Sequence, residues 1–275
     1  MNYSPIGVFD SGYGGLTVLK ELVKTLPEYD FLYFGDNART PYGTRSFEVV
    51  YEYTLQAVKY LFSKNCHLII IACNTASAKA LRNIQQLDLP KLAPERRVLG
   101  VIRPSVEKVA EITKNGHVGV LATVGTVVSG SYPIELEKWS GGYVKSTVQE
   151  ACPIWVPLVE NNEIGSEGAD YFIRKNIQNI FKKDAELDTL ILGCTHYPLL
   201  LENIKKYVPE NINILVQGEI IAEKLVYYLK RHPEIESVLS KNGNIHYQTT
   251  ESVENFEGKA ALFMGHPVKA EHIHL

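Results

Sequence analysis

The sequence predicts an α/β protein with two pseudo-symmetric lobes, mostly parallel sheets and an active site in the interlobe cleft. Short apolar runs alternate with helical stretches along most of the 275 residues, a pattern typical of parallel sheets covered by helices. Two pairs of segments repeat in the same order, which indicates a duplicated unit. In one pair a cysteine follows each apolar run, and open α/β sheets bind ligands at the carboxyl ends of their strands.

In the first part of the chain, apolar runs of four or five residues predict buried strands, because β-branched and aromatic residues dominate them. The predicted strands cover residues 6–9, 31–34, 68–72 and 98–101. Predicted helices start at Leu16 and near Phe47 and cover residues 76–84. Ser46 precedes the second helix and suits its N-cap.

The same alternation continues through the rest of the chain. Strands are predicted at residues 118–121, 143–149, 190–192 and 213–216, followed by a helix at 219–230 and a last strand at 260–264. Pro104 and Pro198 suit first helical turns. We expect the chain to return to the first lobe near its end. Lobe A then comprises residues 1–98 and 210–275 with Asp10 and Cys73, and lobe B residues 99–209 with Cys194 and His196.

The internal repeat predicts how two cysteines meet. Residues 6–14 resemble 118–126, and residues 68–75 resemble 189–196, at nearly the same offset. A pseudo-twofold axis between the lobes would bring Cys73 and Cys194 to opposite walls of one cleft, where ligand sites commonly form. A helix N-terminus after each strand favours thiolate. Two facing thiols would make a two-base proton-transfer site.

Composition gives no indication of a nucleic-acid or membrane partner. The formal charge of −3, from 28 basic and 31 acidic side chains, produces no general field that attracts nucleic acid or an anionic membrane. No apolar run approaches the roughly 18 residues of a membrane span, and the first strand begins without a leader-like segment. The four cysteines lack CxxC spacing, which favours a reducing compartment. We expect a cytoplasmic protein.

Two loops at predicted strand ends have both functional and purely structural interpretations. Residues 10–15 are glycine-rich and open a helix, so their N–H groups could hold a carboxylate or phosphate. Thr17 stands where a dinucleotide fingerprint needs glycine, and a Walker lysine is absent. A tight turn capped by Asp10 explains the segment equally well. Residues 35–43 form a polar turn whose position suggests substrate contact through the Tyr42 hydroxyl and backbone N–H groups.

The cysteines also have alternative interpretations. A lone cysteine is commonly a small buried apolar residue, but the matched setting of Cys73 and Cys194 favours function. Cys66 and Cys152 lack such surroundings and are interpreted as structural. Close Cys/His pairs occur at residues 66–67, 194–196 and 272–274, but they lack the usual zinc-ligand spacing, so we predict no metal site.

Four motifs in order identify a known family. They are Asp10-Ser11-Gly12, Pro41-Tyr42-Gly43, Ala72-Cys73-Asn74-Thr75 and Gly193-Cys194-Thr195-His196-Tyr197-Pro198. With them, the chain resembles the glutamate racemase branch of the aspartate/glutamate racemase superfamily nearly end to end. The resemblance implies two α/β lobes with the site between them, no cofactor, glutamate as substrate and D-glutamate made for peptidoglycan. Whether the protein is a homodimer stays open.

The resemblance also implies roles for individual residues. Cys73 and Cys194 would be the two acid/bases, acting on D- and L-glutamate respectively, with Asp10 and His196 as their polar assistants. Substrate contacts would come from Ser11, Pro41, Tyr42, Gly43, Asn74, Thr75, Thr123, Thr126 and Thr195. Asp36 and Glu160 match acidic positions of the family.

The chain departs from the family pattern at three positions, and two other functions remain open. Arg103 and Ser105 stand in a segment where many relatives carry an acidic or neutral residue and then Pro-Gly, and Val124 replaces a frequent polar residue. One alternative is a related cofactor-free racemase or isomerase of another small acid. The other is a non-catalytic amino-acid-binding regulatory protein, which the intact cysteine pair argues against.

Overall fold

The computed structural model describes residues 3–275 as two α/β lobes, each built on a parallel sheet. The strands are β1 (Ile6–Asp10), β2 (Phe31–Gly35), β3 (Leu68–Ile71), β4 (Arg97–Gly100), β5 (His117–Ala122), β6 (Ser146–Ala151), β7 (Thr189–Gly193), β8 (Asn213–Leu215), β9 (Ile245–Thr249) and β10 (Ala270–His272). Every pair of adjacent strands runs parallel. The predicted fold class is confirmed.

Helices fill the connections between these strands. They are α1 (Leu16–Thr25), α2 (Phe47–Ser63), α3 (Asn74–Lys79), α4 (Leu81–Asn83), α5 (Leu89–Leu92), α6 (Ile102–Ile112), α7 (Val124–Ser129), α8 (Ser131–Trp139), α9 (Trp155–Glu160), α10 (Glu167–Lys183), α11 (Leu201–Lys205), α12 (Gln217–Arg231), α13 (Pro233–Glu236) and α14 (Val253–Met264). Short 3₁₀ turns occupy Asn37–Arg39, Tyr42–Thr44 and Tyr197–Leu200, and a π-helical turn occupies Ile84–Asp88. Within residues 3–275, no helix is both long and apolar enough to cross a bilayer.

The two sheets share one strand order. The larger sheet runs β10-β9-β2-β1-β3-β4 and the smaller sheet β6-β5-β7-β8. The order β2-β1-β3-β4 therefore recurs as β6-β5-β7-β8, so β1 corresponds to β5 and β3 to β7. Strand order thus agrees with the repeat in the sequence, because the repeated segments form these corresponding strands.

The repeat also indicates where the chain changes lobe. Strand β4 spans the predicted boundary at residue 98 and pairs with β3, so the larger sheet extends to Gly100. Strand β8 lies beyond the predicted boundary at 210 and pairs with β7 in the smaller sheet, as the counterpart of β4. We therefore propose lobe boundaries after Gly100 and after Leu215. The return to the larger sheet starts with α12, which contacts both α1 and α6.

The last predicted strand is wrong. Residues 260–264 lie in α14, whose buried side chains Phe256, Ala260, Phe263 and Met264 follow helical spacing and face the core. Strands β9 and β10 complete the sheet instead. Both strands contain several polar residues, since β10 is a short edge strand and only part of β9 is buried. Neither strand could therefore be recognised from an apolar run in the sequence.

The predicted helix N-cap and the two predicted first-turn prolines are confirmed. The Ser46 Oγ atom accepts a hydrogen bond from the Val49 N–H group at 3.3 Å, as expected of an N-cap. Pro104 lies in the first turn of α6, and Pro198 in the turn Tyr197–Leu200. Both prolines occupy positions where the helix does not need their missing N–H group.

Candidate active site

Both predicted thiols follow interior strands of their sheets. Cys73 stands two residues after β3, and Cys194 directly follows β7. Since β3 and β7 are topological equivalents, the fold presents the two thiols from corresponding positions in the two lobes. Each residue is only 6% exposed, and all four cysteines of the chain are free. The two thiols are therefore held in a site that is nearly closed to solvent.

Cys73 caps the helix that follows it. Its Sγ atom accepts a hydrogen bond from the Ala76 N–H group at 3.4 Å and lies 3.3 Å from the Ser11 Oγ atom. Burial, together with the charge of Asp10, raises the pKa of the Cys73 thiol to about 11, against the opposing effect of the hydrogen bonds from Ser11 and Ala76. Cys73 is therefore mainly a thiol at neutral pH.

Cys194 has a different set of partners. Its Sγ atom lies 3.9 Å from the Nδ1 atom of His196. Burial raises the pKa of the Cys194 thiol well above its ordinary value, opposed by the His196 N–H group and reinforced by the charges of Cys73, Asp10 and Glu160. Because the charge of Cys73 acts on Cys194, the two sulfur atoms belong to one electrostatic site.

Asp10 ends β1 beside the thiols. Its Oδ2 atom accepts a hydrogen bond from the Gly12 N–H group at 2.9 Å, while its buried Oδ1 atom has no partner among the described residues. Burial raises the pKa of Asp10, and the nearby His196 opposes that rise. The carboxylate is thus a stronger base than an exposed aspartate and has one oxygen available for a proton or a ligand.

His196 connects Cys194 to a carboxylate. Its Nε2 atom lies 2.9 Å from the Glu160 Oε1 atom, and its ring contacts the ring of Phe263 edge to face at 5.4 Å. When Nε2 carries the proton and donates to Glu160, Nδ1 faces Cys194 as an acceptor. The structure thus brings Glu160 into the site through His196.

Close contact between the lobes at this point requires a glycine. A Cβ atom added to Gly14 would lie 2.2 Å from the Thr195 Oγ1 atom and 2.5 Å from the His196 Nδ1 atom. Any larger residue would push the two loops apart. The Thr17 hydroxyl also donates to the Thr195 carbonyl at 3.0 Å, so the loop after β1 is held against the loop after β7.

Three predicted threonines meet across the lobe boundary. The Oγ1 atom of Thr75 lies 2.9 Å from that of Thr123 and 3.3 Å from that of Thr126, and the latter two lie 3.1 Å apart. Gly43 packs against Thr123, since a Cβ atom at Gly43 would lie 3.0 Å from the Thr123 Cβ atom. These three hydroxyls form one polar cluster, which includes the residue two positions after Cys73.

The loop that contains Pro41 and Tyr42 is anchored by Asp36. The peptide bond between Thr40 and Pro41 is cis. The Tyr42 hydroxyl donates to Asp36, which also accepts hydrogen bonds from Arg39 Nε at 2.7 Å and Thr250 Oγ1 at 2.9 Å. Asp36 thus holds the loop in place. The Tyr42 hydroxyl therefore donates its proton to Asp36 and is not free to donate it to a ligand.

Asn74 is bound to two residues that the sequence did not indicate. Its Nδ2 atom donates to the Gln217 Oε1 atom at 2.6 Å, and its Oδ1 atom accepts from the Tyr132 hydroxyl at 2.7 Å. Neither Tyr132 nor Gln217 belongs to a recognisable motif or to the repeat. Their position beside the site depends on how α8 and α12 pack, for which the sequence contains no local signal.

The three departures from the family pattern lie in different surroundings. The Arg103 guanidinium stacks over the Trp139 ring at 3.7 Å, and Val124 is 36% exposed at the start of α7. Ser105 is buried, donates to the Val101 carbonyl at 2.8 Å and accepts from Gln217 at 2.7 Å. Only Ser105 is connected to the residues around the thiols.

The close Cys/His pairs of the sequence do not extend into larger clusters of such side chains in the described residues. Among residues 3–275, no group of three or more His, Cys, Asp or Glu side chains is arranged to hold a metal ion. His67 instead contacts the Ser4 hydroxyl at 2.8 Å, and the rings of His272 and His274 pack edge to face at 4.4 Å.

Comparison with known proteins places this geometry in a family. The Asp/Glu/Hydantoin racemase family matches residues 6–224. A glutamate racemase of Geobacter metallireducens is 39% identical over 266 residues, covering 96% of this chain and 94% of that protein. A glutamate racemase of Persephonella marina is 38% identical, covering 98% and 97%.

Solved structures agree over the whole chain. A glutamate racemase isoform from Bacillus anthracis superposes with a TM-score of 0.89 at 35% identity, covering all of this chain and 99% of that one. The glutamate racemase of Francisella tularensis, solved in complex with D-glutamate, superposes with a TM-score of 0.85 at 30% identity, covering 100% and 98%. The two-lobed arrangement is therefore shared with these structures from end to end.

Proposed function

The chain belongs to the Asp/Glu/Hydantoin racemase family and is an isomerase, and from this premise we propose that it interconverts L- and D-glutamate by two-thiol proton transfer. The observation that carries the proposal is the pair Cys73 and Cys194, presented by equivalent strands of two lobes and coupled electrostatically. The curated relatives and the solved structures reported above are glutamate racemases, which supports glutamate as the substrate.

Inversion of a stereocentre requires a base on one face of the carbon and an acid on the other. In this mechanism one cysteine, as thiolate, removes the α-hydrogen and becomes a thiol. The electron pair passes onto the substrate carboxylate, and the opposite cysteine donates its proton to the other face, becoming the thiolate. The two cysteines exchange roles in the reverse direction. In each turnover one cysteine thus accepts a proton and the other supplies its replacement, and we propose that no cofactor takes part.

The first thiolate needs a proton acceptor, because burial raises the pKa of both thiols. Asp10 and the Nδ1 atom of His196 are placed for this role. The raised pKa of Asp10 makes its carboxylate a better base, and Glu160 fixes the His196 ring with Nδ1 facing Cys194. We therefore propose that Asp10 serves the Cys73 side and His196 the Cys194 side.

The substrate carbanion also needs stabilisation. Fixed orientation supplies roughly 7–11 kcal/mol in favourable cases, and the α-hydrogen of an amino acid is far less acidic than a thiol. We propose that N–H and hydroxyl groups of Ser11, Asn74, Thr75 and Thr195, with Thr123 and Thr126, hold the substrate and the charge that develops on its carboxylate. Such donors are most effective where water is excluded, as it is around the nearly buried thiols.

We further propose that the D-glutamate is used for peptidoglycan and that the enzyme acts in the cytoplasm. The reducing conditions of that compartment would keep both thiols in the state that proton transfer needs. Complementation tests this role. Expression of the chain in a bacterium that requires external D-glutamate should restore growth, and the Cys73→Ala variant should not.

The decisive test of the reaction is circular dichroism of L- and of D-glutamate incubated separately with purified protein. Both signals should decay to zero, since the two enantiomers have equal free energy. Activity should persist in protein without pyridoxal absorbance and after exhaustive treatment with EDTA. Loss of activity with EDTA and its return with zinc would contradict the two-thiol mechanism.

A substrate panel separates the alternatives. Aspartate, other amino acids and hydroxy acids should be racemised far more slowly than glutamate. Faster turnover of one of these acids would assign the chain to another racemase or isomerase of the family. Binding of glutamate with no exchange of its α-hydrogen in deuterated water would identify a binding protein.

A further inference from the structure

We infer that Tyr132 is a positioning residue that holds the two thiol-bearing segments in a fixed relation across the lobe boundary. This role rests on the proposed two-thiol reaction and adds a residue that the family motifs do not include. Tyr132 belongs to α8 of the smaller lobe and is completely buried.

The ring of Tyr132 packs against the segment that carries Cys194. A Cβ atom added to Gly193, the residue before Cys194, would lie 3.1 Å from the Tyr132 Cε2 atom. Burial raises the pKa of Tyr132, and the nearby charge of a Cys194 thiolate adds to the rise. The ring therefore packs against the last residue of β7, which directly precedes Cys194.

The hydroxyl of Tyr132 binds the segment that carries Cys73. It donates to the Oδ1 atom of Asn74 at 2.7 Å, and Asn74 is the residue after Cys73 and the first of α3. One side chain thus contacts the residue before Cys194 through its ring and the residue after Cys73 through its hydroxyl. The length of the tyrosine side chain therefore sets the spacing between the two segments.

Gln217 closes a ring of three hydrogen bonds around this bridge. Asn74 Nδ2 donates to Gln217 Oε1 at 2.6 Å, Gln217 Nε2 donates to the Tyr132 hydroxyl at 2.9 Å, and that hydroxyl donates to Asn74. Each residue donates once and accepts once within the ring. Reversing a single amide would place two donors or two acceptors together. The outer acceptors of Gln217 Nε2, which are Ser105 Oγ and the Val101 carbonyl, favour this direction of the ring over its reverse.

Ser105 ties the ring to the backbone. Gln217 Nε2 donates its second hydrogen to the Ser105 Oγ atom at 2.7 Å, and the Ser105 hydroxyl donates to the Val101 carbonyl at 2.8 Å. Val101 follows β4 and precedes α6. Ser105 is one of this chain's departures from the family pattern, and a glycine at that position would supply no such acceptor.

The network acts on geometry because its hydrogen bonds join its members to one another and to Ser105, and none of them is made to a thiol. Proton transfer at two faces of one carbon requires both sulfur atoms to be in place at once. A displacement of about 1 Å can lower a rate by roughly 10²-fold. Loss of the Tyr132 hydroxyl would free Asn74 and let the Cys73 segment shift relative to the Cys194 segment.

The test is the Tyr132→Phe variant, which keeps the ring and removes the hydroxyl. We expect kcat to fall by roughly 10- to 100-fold in both directions with KM within about threefold of the wild-type value. The isotope effect on α-deuterated glutamate should increase as proton transfer becomes slower. Tyr29→Phe is the matched control, because Tyr29 is a buried tyrosine whose hydroxyl donates to Glu236 at 2.9 Å and takes no part in the network. It should retain wild-type kcat.

Two further measurements separate positioning from other effects. Ser105→Ala removes only the outer link of the network and should lower kcat by a smaller factor than Tyr132→Phe. Rates of iodoacetamide labelling at Cys73 and Cys194, followed by mass spectrometry over a range of pH, report thiol acidity. In Tyr132→Phe their pH dependence should match the wild type, because the hydroxyl sets position and not acidity.

Each outcome decides between interpretations. Wild-type kcat in Tyr132→Phe, or an equal loss in Tyr29→Phe, would overturn the positioning role. A shifted pH dependence of labelling that accounts for the loss of kcat would assign Tyr132 to thiol acidity instead. Failure of the wild-type protein to racemise glutamate would overturn the proposed function itself, which the first measurement shows before any variant is compared.

Discussion

The Cys73 and Cys194 halves of the site arise from equivalent strands, β3 and β7, yet their thiols have different partners. Cys73 caps α3, accepts a hydrogen bond from the Ala76 N–H group and contacts the Ser11 hydroxyl. Cys194 is followed by the turn Tyr197–Leu200 and has His196 beside it at 3.9 Å. The two thiols therefore occupy equivalent positions in the two lobes. The residues that contact each thiol differ, so the surroundings of the two thiols are not the same.

The difference lies in how each thiolate is stabilised. Burial raises the pKa of both thiols, and the charge of Asp10 adds to the rise on both sides. On the Cys73 side, donors that include Ser11 and Ala76 oppose the rise, and the pKa is about 11. On the Cys194 side, one backbone N–H group opposes it, the charge of Glu160 adds to it, and a histidine held by Glu160 can accept the proton. The equilibrium constant of racemisation is one because the two enantiomers have equal free energy. This condition does not require the two halves of the active site to be chemically alike.

Removal of either sulfur should have the largest effect. We expect Cys73→Ala and Cys194→Ala each to abolish racemisation, with losses beyond about 10³-fold, because neither half can supply both faces. In deuterated water, NMR should show any residual α-exchange with L-glutamate in Cys73→Ala and with D-glutamate in Cys194→Ala. Exchange of the same enantiomer by both variants, or normal racemisation by either, would show that the thiols do not act on opposite faces.

The polar assistants should have the next largest effect. We expect Asp10→Asn and His196→Asn each to lower kcat by roughly 10²-fold, since each removes one proton acceptor. Steady-state kinetics in both directions, with thermal unfolding of the same samples, provide the measurement. A variant that unfolds at much lower temperature while its folded fraction keeps full activity would identify its residue as structural.

Asp10→Asn should also affect stability in a pH-dependent way. The folded-state pKa of Asp10 is raised, so its stabilising contribution is present at low pH and is lost as pH rises through that folded pKa. The free energy of unfolding of Asp10→Asn should therefore equal or exceed the wild-type value at pH 7, with the difference shrinking toward pH 4. Clear destabilisation at pH 7 would mean that the carboxylate is favourably paired.

Thiol labelling should sharpen the comparison of the two halves. Below the pKa of a thiol, its thiolate fraction falls about tenfold for each pH unit, and only the thiolate reacts with iodoacetamide. The cysteine whose pKa is raised less should therefore be labelled faster. We expect iodoacetamide to modify Cys73 before Cys194 between pH 8 and 10, by mass spectrometry on the ligand-free protein. Faster labelling of Cys194 would reverse the assignment of the more acidic half.

The smallest effect is expected from Ser11→Ala. Its hydroxyl lies 3.3 Å from the Cys73 Sγ atom, and one such hydrogen bond is worth about 1 kcal/mol. Labelling of Cys73 should slow about fivefold, while Cys194 in the same molecules serves as the control. Equal slowing at both cysteines would indicate that the substitution changed access to the site instead of the acidity of Cys73.

Much of the site could be predicted because its chemistry lies in short, local motifs. Alternating apolar runs identified β1, β3, β5 and β7, and the repeat identified which strand ends correspond. Parallel strands present their carboxyl ends at one edge of a sheet, so the position of the thiols followed. The prediction of secondary structure was poorer near the end of the chain, where an apolar run forms a helix and two strands lack an apolar run. Residues 260–264 are a helix in which burial follows a period of 3.6, and β9 and β10 are polar.

Other features of the site depend on packing between distant segments. The distance in sequence from Asn74 to Tyr132 and Gln217 is large, and nothing local in any of the three indicates that their side chains meet. The same holds for Glu160 behind His196 and for the commitment of Tyr42 to Asp36.

The amino-acid sequence thus sufficed for the α/β class, the duplication, the two thiols and the motifs around them, because these are encoded by residue types at fixed short spacings. The folded chain was needed for the lobe boundaries, the acidity of each thiol and the network that spaces them. These properties arise from burial and hydrogen bonding between segments far apart in the chain, and a linear pattern does not specify which buried side chains become neighbours.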